Sequence, residues 1–137
     1  MNLKSLLFAP VILLMSNCTT QSQAQTSESG NNTITIGINK TAKIPNSKIN
    51  LEFKNIVEDS RCPIDATCVW EGIAIVNIKA SNGSETKNIQ LATKDFEPKN
   101  TKKSTNFDGY KISLIDVKPY PGGKPEAKSI TLKYEKE

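Results

Sequence analysis

From Thr33 onward apolar residues recur at every second position, and this alternation limits what the chain can fold into more than any other feature. Thr33-Ile34-Thr35-Ile36-Gly37-Ile38 alternates cleanly, and Ile49, Leu51 and Phe53 point one way while Asn50, Glu52 and Lys54 point the other. A side-chain period of two puts the apolar set on one face of an extended strand. Cys68 to Ala80 is the longest such run. Beyond Gly72 it carries Ala74, Val76, Ile78 and Ala80 on one face, with Ile73 and Ile75 on the other. Apolar residues on both faces predict a central strand buried on each side near its start. Ser81-Asn82-Gly83-Ser84 marks a hairpin, because Asn-Gly readily takes the positive φ values of a type I′ turn; Ile89 and Leu91 belong to the return strand. Thr93 to Asp108 is polar, Lys-rich and aperiodic, and reads as a long exposed loop. In Tyr110 to Val117 the apolar phase switches between Leu114 and Ile115, as at a β-bulge. Pro119-Tyr120-Pro121-Gly122-Gly123 reads as a turn, and Ile130, Leu132 and Tyr134 mark the last strand. Tyr110, Tyr120 and Tyr134 are spaced as strand-face residues of the core or its rim. Residues 33–137 are therefore expected to form one all-β domain, an antiparallel β-sandwich or small barrel of about seven strands.

The segment before this domain is of another kind. Lys4 precedes an apolar run from Leu6 to Met15, broken only by Pro10. The run is too short to span a bilayer, which takes about 20 residues, and it suits the core of a signal peptide. Leu14-Met15-Ser16-Asn17, just before Cys18, resembles a bacterial lipobox, with Asn17 standing where Gly, Ala or Ser is usual. That resemblance implies a signal peptide over residues 1–17 and a lipid, palmitate included, on Cys18. The competing reading is an ordinary secretory peptide cut further on, after Ala24. Residues 18–32 contain no Val, Ile, Leu or aromatic side chain. They cannot bury enough apolar surface to order themselves, and they suit a flexible tether.

With Cys18 set aside, Cys62 and Cys68 remain, an even number as expected of one disulfide in an exported domain. The chain-entropy model assigns so small a ring only about 2–2.5 kcal/mol, so its expected role is to pin the crossing between the strand ending at Val57 and the strand starting at Val69. The stretch around it is the densest in the chain: Glu58-Asp59-Ser60-Arg61-Cys62-Pro63-Ile64-Asp65-Ala66-Thr67-Cys68-Val69-Trp70-Glu71-Gly72. Pro63 stiffens the loop. Trp70, two residues past Cys68, is expected on the same strand face, packed over the disulfide. Glu58, Asp59, Asp65 and Glu71 bring four carboxylates together, but without the alternating ligand pattern of a calcium loop. With Arg61 among them they read as a charge-compensated surface cluster. In it Asp59 caps the turn through backbone amides, and Arg61 holds Asp59 or Glu71 with its planar fork.

The Asp59-Ser60-Arg61-Cys62-Pro63 block, followed by Cys68-Val69-Trp70-Glu71-Gly72, resembles the signature of a family of small uncharacterised bacterial secreted proteins and lipoproteins. The resemblance extends to Leu114 to Pro121, where an aliphatic strand runs into a Pro-Tyr-Pro turn. It implies export, the disulfide and a β fold; the family has no established activity, so it implies no mechanism.

Composition narrows the function classes. The chain has no His, which removes Ser-His and Cys-His nucleophile arrangements and the usual base near neutral pH. Two thiols without His do not complete a zinc shell, and a catalytic disulfide is usually Cys-x-x-Cys at a helix start. The formal charge of +4 falls to +3 once Lys4 leaves with the leader, and it is spread along the chain. A nucleic-acid binder needs a concentrated basic face. The expectation is a non-catalytic module of the bacterial cell envelope, without cofactor or metal. It would be anchored to the membrane through lipid on Cys18 and would bind a protein, peptide or glycan partner. The alternative is an inhibitor of a protease or lysozyme, presenting the Cys62–Cys68 loop or the Thr93–Asp108 loop. Intact-mass measurement before and after reduction should show a gain of two hydrogens from the domain's disulfide, and finding Cys62 and Cys68 as free thiols would overturn the pairing.

Overall fold

A computed structural model describes residues 32–137; the expected signal peptide, Cys18 and all but the last tether residue lie outside the described residues. Eight strands follow in order: β1 (Thr33–Gly37), β2 (Thr41–Lys43), β3 (Asn50–Asp59), β4 (Ala74–Ser81), β5 (Thr86–Ala92), β6 (Ser104–Phe107), β7 (Tyr110–Lys118) and β8 (Ser129–Lys136). They form two four-stranded sheets, ordered β1-β8-β7-β6 and β2-β3-β4-β5, and every pairing is antiparallel. The strands thus run round the sandwich in chain order, and β8 returns to β1. On each side the chain that crosses from one sheet to the other bonds to both of them. The Ile38 amide donates to the Lys128 carbonyl (3.0 Å) and the Asn39 amide to that of Phe53 (2.8 Å). Opposite them, the amides of Ala92 and Leu114 donate to the carbonyls of Lys102 and Lys103, both at 2.9 Å.

The alternation read from the sequence becomes the interior. Ile34, Ile36, Leu51, Phe53, Val76, Ile78, Ile112, Leu114, Ile130 and Leu132 all join one buried cluster between the sheets. Each such side chain contributes roughly 1.5–3 kcal/mol on leaving water. The two-faced start of β4 is also observed: Ala74 and Val76 enter this cluster, while Ile73 and Ile75 join Ala92 and Phe96 in a second, smaller one on the other face. The expected bulge lies between Leu114 and Asp116, where the register against β8 shifts.

Four expectations are corrected. Thr93 to Asp108 is not one exposed loop. It holds a short 3-10 turn at Glu97–Lys99 and the strand β6, paired to β7 from Ser104↔Ser113 to Phe107↔Tyr110. β6 has only Phe107 fully buried, so its periodicity is too brief to read. The run from Cys68 is not strand until Ala74, because Gly72 turns the backbone with φ +72°. The preceding strand does not end at Val57 but continues to Asp59. The Asn-Gly hairpin has a four-residue loop between Ser81 and Thr86 rather than a type I′ turn. Only Gly83 takes a positive φ there, and Asn82 Oδ1 accepts the amides of Ser84 (3.0 Å) and Glu85 (2.7 Å). This side-chain mimic of a backbone turn removes the need for a second left-handed residue.

Phe53→Ala should lower stability by about 3–5 kcal/mol in urea titration, as expected for a large core deletion. Ile115→Ala, at the exposed bulge, should stay within about 0.5 kcal/mol of the unaltered chain.

Candidate functional site

The two stretches singled out in the sequence meet at one end of the sandwich. Arg61 leaves the end of β3 and turns inward, and only 7% of it is exposed. Its Nε donates to Asp59 Oδ1 at 2.8 Å and its Nη2 to Asp59 Oδ2 at 2.7 Å, a two-pronged pair. The same guanidinium crosses to the other sheet. There Nη1 donates to the Val117 carbonyl at 2.7 Å and Nη2 to the Pro119 carbonyl at 3.0 Å. The Tyr120 ring covers it at 4.6 Å, an attractive placement of a cation on a π face. The expectation of a surface cluster is therefore wrong for Arg61. It is a buried staple between sheets, and Asp59 rather than Glu71 is its partner. Asp59 also caps the turn as expected, since its Oδ1 accepts the Arg61 amide at 3.3 Å.

Ser60 and Gly72 make this geometry possible. The Ser60 amide donates to the Ile73 carbonyl at 2.8 Å, and Ser60 Oγ accepts the Ile73 amide at 3.2 Å. Gly72 lies against that contact: a Cβ on it would fall 1.8 Å from the Ser60 carbonyl oxygen and 2.8 Å from Arg61 Cα. Only glycine fits. Cys62 and Cys68 are bonded, with their Cα atoms 5.9 Å apart. The loop they close rests on the second stretch, where the Ile64 amide donates to the Pro121 carbonyl at 3.0 Å. Gly122 leaves room for this contact, since a Cβ there would meet Asp65, Ile64 and Pro63.

Trp70 corrects another expectation. It does not cover the disulfide from a strand face; it lies 45% exposed on the rim. Its ring sits 5.0 Å from that of Phe96, tilted by 44°, and Lys94 Nζ stands 3.9 Å over it. The cause is the Gly72 turn, which swings the preceding residues off the β4 axis. Trp70 thereby meets Phe96, which packs against the outer cluster from the Thr93–Lys103 strap. Two of the other carboxylates of the stretch are paired as well, Glu71 with Lys94 and Glu58 with Lys99. On the strap the Lys102 pKa is raised, first by its hydrogen bond to Glu97 and then by that carboxylate's charge. Among the described residues no group of three or more His, Cys, Asp or Glu side chains is placed to hold a metal ion.

Beside the staple lies an open cleft of about 270 Å³, lined by Arg61, Glu71, Gly72, Thr93, Lys94, Ile115, Asp116 and Tyr120. It occupies the corner where β6 has ended and β7 has no strand on that side. Sequence reasoning placed Arg61 and Gly72 in the right neighbourhood but missed Thr93, Lys94 and Asp116 as wall residues. Their signal was absent because they come from segments that only the fold brings together. Asp116 Oδ1 accepts the Val117 amide at 2.9 Å, the Thr93 hydroxyl accepts the Ala74 amide at 3.1 Å, and Ile115 and Tyr120 are half-exposed. No family model, curated protein or solved structure matches the chain. The chemistry of this end is thus read from its own geometry.

Arg61→Ala should cost about 3–5 kcal/mol, because it leaves the Asp59 carboxylate and two carbonyls without their donor. Arg61→Lys should recover less than half of that, since an ammonium cannot span Asp59, Val117 and Pro119 together. Equilibrium denaturation of the two variants checks both statements.

Proposed function

We propose that this protein is a lipid-anchored, non-catalytic binding module of the bacterial cell envelope, held to its membrane through Cys18 and acting through the disulfide end. The observation that carries this reading is that β1 enters the sandwich at the end opposite Arg61. Asn32 lies beside Pro45, Asn46, Tyr110, Tyr134 and Lys136, around a cleft at the end of the sandwich opposite Arg61. β7, with nine residues, separates the two ends by about 30 Å. With a flexible tether attached at Asn32, the Cys62–Cys68 loop, Trp70 and Tyr120 lie at the end far from the attachment point. That loop end is braced by a disulfide, a glycine lock and the Arg61 staple, and rigid presentation lowers the ordering cost of binding. The resemblance of the Asp59–Gly72 stretch to exported bacterial lipoproteins agrees with this placement. Palmitate labelling of the full chain expressed in a bacterium tests the anchor. Cys18→Ala should abolish labelling and release the protein from membranes, whereas persistent labelling of the variant would overturn it.

One observation favours a second reading, an inhibitor of a protease or lysozyme. Residues 64–71 are all exposed, and Val69, directly after the bridged Cys68, is fully so. Purified chain at micromolar concentration should slow a peptidase with a small aliphatic specificity pocket, or lysozyme, if this reading holds; unchanged rates would dismiss it.

A further inference from the structure

We propose that the cleft beside Arg61 binds one neutral, hydroxyl-rich sugar ring, a single unit of a glycan. The inference deepens the reading of this end as the presented binding face and rests on it. Three properties of the cleft select the ligand class.

Charge comes first. Two cations line the cleft, but each is matched: Arg61 by Asp59 through two hydrogen bonds, and Lys94 by Glu71. The remaining carboxylate, Asp116, already accepts the Val117 amide. Phosphate or sulfate would have to compete with carboxylates for its donors, so an anion gains little here.

Backbone availability comes second. An extended peptide adds to a sheet by pairing with free N–H and C=O groups along an edge. β7 lacks a strand neighbour at this corner, yet the Val117 carbonyl is taken by Arg61 and the Val117 amide by Asp116. At Val117, and at the Pro119 carbonyl that Arg61 also holds, the edge is closed to a peptide ladder.

What remains open is suited to hydroxyl groups. One oxygen of Asp116 and one of Glu71 can accept, while the Thr93 hydroxyl proton, the spare Nη1 proton of Arg61 and the Lys94 ammonium can donate. The Tyr120 ring has one face on Arg61 and is 40% exposed. With Ile115, also half-exposed in the cleft wall, it offers apolar surface to the C–H side of a pyranose, whose weakly positive hydrogens are attracted to aromatic π density. A volume of about 270 Å³ lies just below the range of roughly 300–1,000 Å³ for ligand pockets. That is room for one ring and not for a chain of them.

The full-length chain in a non-glycosidic detergent is titrated with glucose, galactose, mannose and N-acetylglucosamine, and separately with inorganic phosphate and an extended hexapeptide. Trp70, the single Trp, adjoins the cleft through Glu71 and Lys94 and supplies the fluorescence signal. At least one neutral sugar should give a saturable change at millimolar concentration. Tyr120→Ala should weaken it by about tenfold or more, and Tyr120→Phe, which keeps the ring, should stay within about twofold of the parent. Ile115→Glu, at a position the fold does not need, should also weaken it and serves if Tyr120→Ala fails to fold. No saturable response to any sugar up to about 50 mM, equal affinity in the Ile115→Glu variant, or saturation by phosphate or the hexapeptide alone would each overturn the proposal. Palmitate labelling of Cys18 reads the anchor without any ligand, so the two ideas fail separately.

Discussion

The guanidinium of Arg61 stands in for a missing strand. β6 follows β7 only as far as Ser113, with one further bond to Leu114, and beyond that point β7 would expose an unpaired edge. Arg61 reaches across from the opposite sheet, fills the Val117 and Pro119 carbonyls, and returns its charge to Asp59 through two hydrogen bonds. Burying an ion is costly unless its attraction and its hydrogen bonds are both well made. Here four contacts and a covering aromatic ring meet that condition. No buried side-chain nitrogen or oxygen among the described residues is left without a partner.

The other peculiarities of this end follow from that staple. The guanidinium can lie flat between the sheets only if the chain after it comes back close by, and the Gly72 backbone lies against Ser60 and Arg61 where no Cβ fits. The short covalent ring at Cys62–Cys68 then docks on the turn whose first carbonyl Arg61 holds. Each piece fixes the next. The interior between the sheets is meanwhile filled with aliphatic side chains and Phe53. In the proposed binding role, recognition falls to the rim, as is usual where a rigid β scaffold carries its working residues on loops.

Much of the fold was legible in the chain, and the reason is geometric. A period of two survives wherever one face is buried, so β1, β3, β4, β7 and β8 could all be read. The phase slip at Leu114 and Ile115 announced a real bulge. β6 was missed because its one deep residue, Phe107, makes no period. The site was less legible. Asp59 and Arg61 stood in an evident charge cluster, but their depth depends on carbonyls more than fifty residues away. The position of Trp70 depends on the Gly72 turn, which breaks the strand phase used to place it.

The sequence alone thus determined the β class, the alternation that fills the core, the pairing of Cys62 with Cys68 and the need for something unusual between Asp59 and Gly72. Those follow from local spacing, which survives in one dimension. The tertiary structure decided that Arg61 is buried, that Trp70 is on the rim, and that Thr93, Lys94, Asp116 and Tyr120 share a cleft. Such facts arise only when two sheets close on each other, because a hydrogen bond from one sheet to a carbonyl of the other leaves no mark in the residues between.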